Sequence, residues 1–329
     1  MRRLAQIVVP LLIAALAVGC SSKNTTQSTG TTGTKKAGLT IALVPKSTSH
    51  DFWQTVKAGA EAAGKETGAT ILFKGPAKET DVAGQMSIVE DFITQKVDAI
   101  VLAACNSKAL VPLVDKAQKA GIPVITIDSG IDSDIATSFI ATDNIAAATK
   151  GADELAKLIG KKGSVGLEPI VAGAATSTMR ENGFTDGIKK YPGIKIVATR
   201  FSNCDESQAM TATENMLTAN PGIVGIFSAC GPGAVGCARV LEQKGLAGKV
   251  KHVAFDAIPA EIDAFKRGSI QVLVVQNPFK MGFEGVKAAV AVKAGKTVPK
   301  RVDTGVAVVT KANFNDPAIQ KLLYPLKGK

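Results

Sequence analysis

From residue 39 onward, short apolar runs rich in β-branched residues alternate with longer amphipathic stretches. Alternation of this kind is typical of parallel sheets built from right-handed βαβ units, so the sequence predicts an α/β fold. The predicted strands are residues 39–44, 69–73, 99–103, 123–127, 138–141, 164–167, 194–199, 223–228, 250–255 and 270–275. The predicted helices include residues 52–68, 82–95, 109–120, 146–159, 207–219 and 281–294.

The alternation is interrupted at residues 128–138, where two predicted strands follow each other with no helix between them. This segment, DSGIDSDIATS, is polar and rich in Gly, Ser and Asp, as expected for a crossing between domains. We therefore expect two domains of five strands each. Open parallel sheets bind ligands beyond the carboxyl ends of their strands, so two facing sheets would hold a ligand in the cleft between them.

The N-terminus has the pattern of an export signal, with Arg2 and Arg3 before sixteen uncharged residues, 4–19. Sixteen residues are too few to span a bilayer comfortably. The following Cys20 completes a segment that resembles a bacterial lipobox, which predicts a lipoprotein signal peptide at residues 1–19 and lipidation of Cys20. Cleavage near residues 15–17, leaving Cys20 as a free thiol, is the alternative.

Residues 20–38 are rich in Ser, Thr and Gly and contain almost nothing apolar, so we expect a flexible tether. The predicted location is the outer face of the cell membrane or the periplasm, with membrane contact through the lipid anchor only.

The formal net charge of +11 raises the question of nucleic-acid binding. The chain shows no helix-turn-helix pattern at its start and no dense basic block, and it contains only two Tyr and one Trp. We therefore predict no nucleic-acid partner. The basic surface is interpreted as a solvated face toward anionic lipid or cell wall.

The sequence contains no pattern of residues typical of catalysis. His50 and His252 are far apart, and neither metal-ligand spacing nor a Gly-x-Ser-x-Gly motif is present. We predict a protein that is not an enzyme and has no catalytic residues, metal or cofactor.

Four cysteines remain beside Cys20, and they allow three full pairings. They are Cys105, Cys204, Cys230 and Cys237. Outside the cytoplasm a disulfide is permitted. We expect at most one bridge, within the second half of the chain; buried free thiols are the alternative.

The residues that follow the predicted strands form a chemically consistent set of carboxylates, amides, one Arg and two adjacent aromatics. The candidate binding residues are Lys46, His50, Phe52, Trp53, Asn106, Asp128, Thr142, Arg180, Cys204, Cys230, Asp256 and Gln276. Planar polar groups form paired hydrogen bonds with neighbouring hydroxyls, and aromatic rings cover C–H surfaces. The set therefore suits a neutral polyhydroxylated ligand.

From residue 39 to about residue 311, the chain resembles type I periplasmic sugar-binding proteins of the ribose-binding group, the solute receptors of ABC importers. The resemblance is carried by IALVPKSTSHDFW, DAIVLAACNSKAL, AGIPVITIDS, FIATDN, Arg-x-x-Gly-Phe at residues 180–184, HVAFDA and VVQNP, in this order. It implies two Rossmann-like lobes, each a parallel five-to-six-stranded sheet flanked by helices, joined by a three-segment hinge. The implied lobes are residues 38–142 with 277–304, and residues 143–276 with 305–329.

The resemblance also implies roles for individual residues. Asp128 and Asp256 would bind sugar hydroxyls, Arg180 and Gln276 match further ligand-binding positions, and Phe52 with Trp53 would pack on the sugar ring. The alternatives are helix capping for each Asp, an interlobe salt bridge for Arg180, and a core position for Phe52.

Departures from the family pattern bear on the ligand. Lys46 and His50 stand where ribose binders have small hydroxyl or amide residues, Cys204 replaces a pocket aromatic, and Cys230-Gly231 replaces Asn-Asp. We expect a pentose-sized monosaccharide or a sugar alcohol. The alternative is a carbonyl-bearing or anionic ligand that contacts Lys46.

The predicted partners are this ligand and an ABC permease in the membrane, and the chain is expected to be a monomer. A receptor that presents its ligand to a membrane sensor is the alternative function.

Overall fold

The computed structural model describes residues 38–327, and the predicted alternation of strands and helices is present there. In chain order the elements are β1 (Thr40–Val44), α1 (Asp51–Thr67), β2 (Thr70–Phe73), α2 (Val82–Thr94), β3 (Ala99–Leu102), α3 (Val111–Lys119), β4 (Val124–Ile127), β5 (Ser138–Ala141), α4 (Asn144–Leu158), β6 (Gly163–Glu168), α5 (Ala175–Lys189), β7 (Ile194–Thr199), α6 (Glu206–Ala219), β8 (Ile223–Ser228), α7 (Gly231–Gln243), β9 (Lys251–Phe255), α8 (Pro259–Arg267), β10 (Val272–Val275), α9 (Pro278–Lys293), β11 (Arg301–Asp303), β12 (Ala307–Val309) and α10 (Pro317–Leu323). The predicted signal peptide, Cys20 and nearly all of the predicted tether lie outside the described residues.

The strands form two six-stranded sheets. Their orders are β11-β5-β4-β3-β1-β2 in the first and β12-β10-β9-β8-β6-β7 in the second. Every pairing is parallel except that of β12, which runs antiparallel to β10. The predicted α/β class with two Rossmann-like lobes is confirmed. We call the lobe around each sheet the first lobe and the second lobe.

Both faces of each sheet are covered by helices, and β1 shows how its sequence achieves this. Alternate residues of a strand point to opposite faces. Ile41 and Leu43 therefore pack on one face in a core with α1 and α9. Ala42 and Val44 pack on the other face in a core with α2 and α3. A continuous apolar run is what a strand buried on both faces requires.

The chain passes between the two sheets three times. The crossings lie between β5 and α4, between β10 and α9, and between β11 and β12. Two of them end at capped helices, because Asp143 accepts a hydrogen bond from Ala146 N and Asn277 accepts one from Lys280 N. We propose these crossings as the boundaries of the predicted lobe ranges and as the three segments of a hinge.

β11 and β12 were not among the ten predicted strands. Each is three residues long, which is too short to show a hydrophobic period. Among residues 38–327, no helix combines the length and apolar character needed to cross a bilayer.

Candidate ligand-binding site

The carboxyl ends of strands from both sheets converge on a small cavity between the lobes. Ten of the twelve predicted binding residues line it, and they are Lys46, His50, Phe52, Trp53, Asp128, Arg180, Cys204, Cys230, Asp256 and Gln276. Glu79 and Ile170 complete the lining. The space between these side chains, including the part open to solvent, is about 240 Å³, so the site suits one small molecule.

Lys46 is the central cation of the first lobe's part of the cavity. Its Nζ lies 3.2 Å from Glu79 Oε2 and 3.2 Å from Asp128 Oδ2, and all three side chains are buried. Burial alone would lower the pKa of Lys46, but the Asp128 and Glu79 carboxylates raise it above its usual range. Lys46 is therefore charged, and its charge is compensated within the protein.

Glu79 was missed by the sequence analysis. It lies in the loop between β2 and α2, where its Oε1 accepts a hydrogen bond from Trp53 Nε1 at 3.1 Å and lies 3.3 Å from His50 Nε2. Burial would raise the pKa of Glu79, but the Lys46 ammonium holds it below its usual range. Candidate residues were predicted after the first, third and fourth strands but not after the second. A search of the loop after β2 for polar residues would have identified Glu79.

Phe52 and Trp53 lie in the first turn of α1 and form the aromatic part of the cavity wall. Their ring centroids are 5.0 Å apart in an edge-to-face arrangement. Both side chains are buried and also pack in the core of the first lobe. Packing therefore holds both rings in place. The hydrogen bond from Trp53 Nε1 to Glu79 also fixes the orientation of the indole.

Arg180 on α5 is the fixed cation of the second lobe's part of the cavity. Its Nε donates to Asn144 Oδ1 at 2.8 Å, and its Nη1 donates to the Ala229 carbonyl at 2.7 Å. The guanidinium also lies 3.7 Å from the ring centroid of Phe255. These contacts leave the remaining guanidinium nitrogen in a preset orientation at the cavity.

Asp128 and Asp256 follow β4 and β9 with positive φ angles of 55° and 89°. Such angles are costly for a residue other than glycine and tend to occur at functional sites. Asp256 accepts hydrogen bonds from Gly231 N through Oδ2 and from Gln276 Nε2 through Oδ1. Burial raises the pKa of Asp128, with Lys46 opposing the shift. Neither residue is the N-cap of a helix, which was the alternative role.

Four buried polar atoms of the cavity have little or no partner within the described part of the chain. Gln276 Oε1 and His50 Nδ1 have none, while Glu79 Oε2 and Asp128 Oδ2 face only Lys46. Carboxylate and amide oxygens accept hydrogen bonds. The cavity is therefore complementary to a molecule that donates them, as hydroxyl groups do.

Two predicted binding residues do not line the cavity. Asn106 Oδ1 accepts from the backbone N–H of Lys108 and Ala109, so its oxygen is used to cap a turn. Thr142 Oγ1 donates to the Gly305 carbonyl at 3.2 Å and joins two of the crossings between lobes. Ligand contacts from Asn106 and Thr142 stay a prediction that the cavity lining does not support.

Cys204 and Cys230 form a disulfide with their Cα atoms 6.1 Å apart. Both residues belong to the second half of the chain, in agreement with the expectation of at most one bridge there. Cys105 and Cys237 are buried and free.

His50, Glu79 and Cys204 bring three potential metal-ligand atoms within 4.8 Å of one another. The Cys204 sulfur is held in the disulfide, however, and Glu79 is already paired with Lys46. A thiolate is the form of cysteine that binds metals, so we assign no metal to this group.

Solved structures of sugar transport proteins share this architecture. A carbohydrate transporter solute-binding protein from Agrobacterium radiobacter, in complex with D-arabinose, superposes with a TM-score of 0.85 at 39% identity. That match covers 88% of this chain and 99% of the other. An ABC transporter solute-binding protein from Agrobacterium vitis with bound D-fucose superposes with a TM-score of 0.84 at 39% identity, covering 87% of this chain and 100% of the other.

Sequence relatives agree with the structural ones. The D-allose-binding periplasmic protein of Escherichia coli (strain K12) is 33% identical over 273 residues, which cover 80% of this chain and 88% of that protein. These relatives are solute-binding proteins and not enzymes. Residues 41–297 match the family described as a periplasmic binding protein domain. The chain thus belongs to the periplasmic binding proteins, in the group that binds sugars for ABC transporters.

Proposed function

We propose that this chain captures a neutral monosaccharide of pentose size, or a sugar alcohol, in the cavity between its lobes and delivers it to an ABC permease as a monomer. The observation that carries the proposal is the cavity lining. It combines buried hydrogen-bond acceptors with a rigid aromatic pair. A small molecule with several hydroxyl groups and an apolar C–H surface satisfies both.

The state of Lys46 favours a neutral ligand over an anionic one. Its ammonium already contacts two carboxylates, at 3.2 Å each. An anionic ligand would have to approach Glu79, Asp128 and Asp256 in a buried space, where like charges repel strongly. The anionic alternative is therefore the weaker one.

Relatives support a sugar but differ in its size. The structures with D-arabinose and D-fucose hold a five-carbon and a six-carbon sugar. We favour the smaller ligand because Cys204 lines the cavity in place of a flat aromatic face.

Capture would proceed by hinge closure. Ligand bonds from both lobes favour the closed arrangement, which a permease then recognises. The described residues include a direct bond between the lobes at the cavity, because Lys46 Nζ donates to Thr176 Oγ1 at 3.2 Å. The three crossings supply the bending segments.

We also propose that Cys20 carries a lipid anchor that keeps the protein near its permease. The support is the lipobox-like sequence and the Ser/Thr/Gly-rich residues after it. Presentation of the ligand to a membrane sensor would use the same cavity, and no feature of the described residues favours that role over import.

The test is calorimetric titration of the purified protein with D-arabinose, D-ribose, D-allose, D-fucose, pentitols and a uronate, together with mass spectrometry of any copurified small molecule. The proposal predicts binding of a pentose or pentitol and no binding of the uronate. If only hexoses bind, the proposed ligand size is wrong. If none of these compounds binds, the sugar assignment itself fails.

A further inference from the structure

The second lobe contributes its own apolar wall to the cavity, and a disulfide forms most of it. Apart from the aromatic pair of the first lobe, the apolar lining consists of Ile170, Cys204 and Cys230. All three belong to the second lobe. A sugar ring has two faces, so one face can contact the aromatic pair while the other contacts this wall.

The loop that carries Cys204 has a costly backbone conformation. Asn203 and Cys204 have consecutive positive φ angles of 52° and 49°. Residues other than glycine adopt this region at a cost and keep it where surrounding contacts enforce it. Ser202 supplies part of the enforcement, because its Oγ accepts from Cys204 N at 3.3 Å and donates to the Pro169 carbonyl at 3.1 Å. The disulfide to Cys230 adds a covalent constraint on the loop conformation.

The other end of the disulfide is tied to the binding carboxylate Asp256. Cys230 directly precedes α7, and the N–H of Gly231 donates to Asp256 Oδ2 at 3.1 Å. The same turn packs tightly on the Cys204 loop, since a Cβ on Gly233 would lie 2.8 Å from Ser202 Oγ. The disulfide therefore connects the wall of the cavity to one of its hydrogen-bonding groups.

We propose that the Cys204–Cys230 disulfide determines sugar affinity and selectivity by fixing the second-lobe wall. Cys204 and Cys230 act here as positioning residues for the 202–205 loop and for the start of α7. Opening the bridge lets the loop leave its left-handed conformation and removes the wall from the sugar ring. The inference rests on the proposed sugar-binding function.

The experiment compares oxidised and reduced full-length protein in calorimetric titrations with D-arabinose, D-ribose and D-allose. A water-soluble phosphine reduces the protein: two electrons and two protons convert the S–S bond into two thiols, while the phosphine takes oxygen from water and becomes its oxide. Circular dichroism checks that the reduced protein stays folded. Peptide-resolved alkylation of the unreduced, denatured chain should label Cys105 and Cys237 and spare the other pair.

We expect reduction to raise the Kd of the bound sugar about tenfold, to narrow the difference in affinity between sugars, and to leave the binding stoichiometry at its oxidised value. Reoxidation should restore the original Kd. The Cys204→Ala/Cys230→Ala double variant should match the reduced protein, and Cys237→Ala, which alters a buried free thiol of the same lobe, should match the oxidised protein.

Three results would overturn the inference. One is equal Kd values in the oxidised and reduced forms, and another is alkylation of Cys204 and Cys230 without reduction. The third is a loss of stoichiometry at constant Kd, which would show that the bridge only stabilises the fold. Absence of binding in both forms would instead refute the proposed sugar function, so the two failures are distinguishable.

Discussion

Lys46 and Glu79 form an ion pair inside the cavity, with Nζ 3.2 Å from Oε2 and both side chains 4% exposed. They come from two different loops of the first lobe, one after β1 and one after β2. Glu79 also holds Trp53 and lies beside His50. Removing one partner of a buried pair leaves the other charge uncompensated, which costs more than the pair itself contributes.

Glu79→Ala should lower the free energy of unfolding by about 3 kcal/mol, because Lys46 then keeps only Asp128 as a buried counter-charge. Urea denaturation at neutral pH measures this loss. The matched control is Glu61→Ala, which removes a 51% exposed carboxylate 3.7 Å from Lys57 and should cost less than about 0.5 kcal/mol. Equal losses in the two variants would contradict the importance of the buried pair.

Asp256→Ala should weaken sugar binding by roughly 2 to 4 kcal/mol, because the sugar hydroxyl that its carboxylate is proposed to bind is left without a partner in a closed cleft. Asp128→Ala should weaken sugar binding by a similar amount. Calorimetric titration measures both, with Asp186→Ala on the exposed side of α5 as the control. Near-normal affinity in both cavity variants would remove the proposed site.

The sequence was sufficient to predict most of the residues that line the cavity, because the rule that locates them is topological. Asp128, Asp256 and Gln276 each directly follow a parallel strand, and the carboxyl ends of parallel strands meet at one edge of their sheet. Position along the chain therefore predicted position in the cleft. The same regularity predicted the two sheets from the alternation of apolar runs and amphipathic stretches.

Other features depend on contacts that no local pattern encodes. Glu79 enters the cavity because a loop six residues beyond β2 folds back toward Lys46. Asn106 does not line the cavity, because its Oδ1 accepts hydrogen bonds from two backbone N–H groups of the next turn. An Asn after a strand can serve either purpose, and the choice is made by tertiary structure.

Glu168 gives the protein a predicted pH dependence of stability. It is fully buried at the end of β6, and burial raises its pKa to about 8, with Ser228 and Thr213 opposing the shift. Between its ordinary pKa of 4.5 and about 8, the native state holds a proton that the unfolded state has released. Stability is therefore highest below this window and falls as the pH rises through it, by up to about 1.4 kcal/mol per pH unit.

The titration of His252 changes the stability in the opposite direction and at lower pH. Burial lowers its pKa from 6.5 to about 3, so its contribution rises with pH and is complete above 6.5. Urea denaturation between pH 6.5 and 8 thus leaves out the His252 contribution. Burial also raises the pKa of Glu261, so a Glu168 variant is needed to separate the two carboxyl groups. Glu168→Gln should make the decline of stability shallower there, while Glu214→Gln, a 52% exposed control in the same lobe, should leave it unchanged. A decline that is equally steep in Glu168→Gln and in the unaltered protein would show that Glu168 does not contribute to it.

Cys20→Ala should release the protein from membranes without changing its affinity for sugar. The proposed anchor is a lipid on this one sulfur, and no other segment is proposed to bind the membrane. Cell fractionation with immunodetection measures the release, and titration of the released protein measures its affinity. Cys237→Ala, which keeps the lipobox, should stay in the membrane fraction. Retention of Cys20→Ala in that fraction would refute the anchor.

Gly173 lies at a contact between the two lobes outside the cavity, so its substitution tests whether this contact contributes to closure. It belongs to the second lobe, its carbonyl accepts from the N–H of Ser107 in the first lobe at 2.9 Å, and its φ is +86°. A Cβ there would lie 2.4 Å from Asn106 Nδ2 of the first lobe, so this side chain must shift although two backbone N–H groups hold its Oδ1. Gly173→Val should therefore reduce the closed fraction and raise the Kd for sugar about tenfold.

Gly248→Val is the matched control for this prediction. Gly248 has a φ of +73° and its Cβ would meet nothing closer than 3.9 Å, so valine suffers similar backbone strain there without touching the first lobe. Both variants should lose stability in urea denaturation, because valine is costly at positive φ. Calorimetric titration should then show weaker binding for Gly173→Val alone. If the two variants bind sugar equally well, the Ser107–Gly173 contact does not contribute to closure, and the hydrogen bonds inside the cavity must supply the closing free energy.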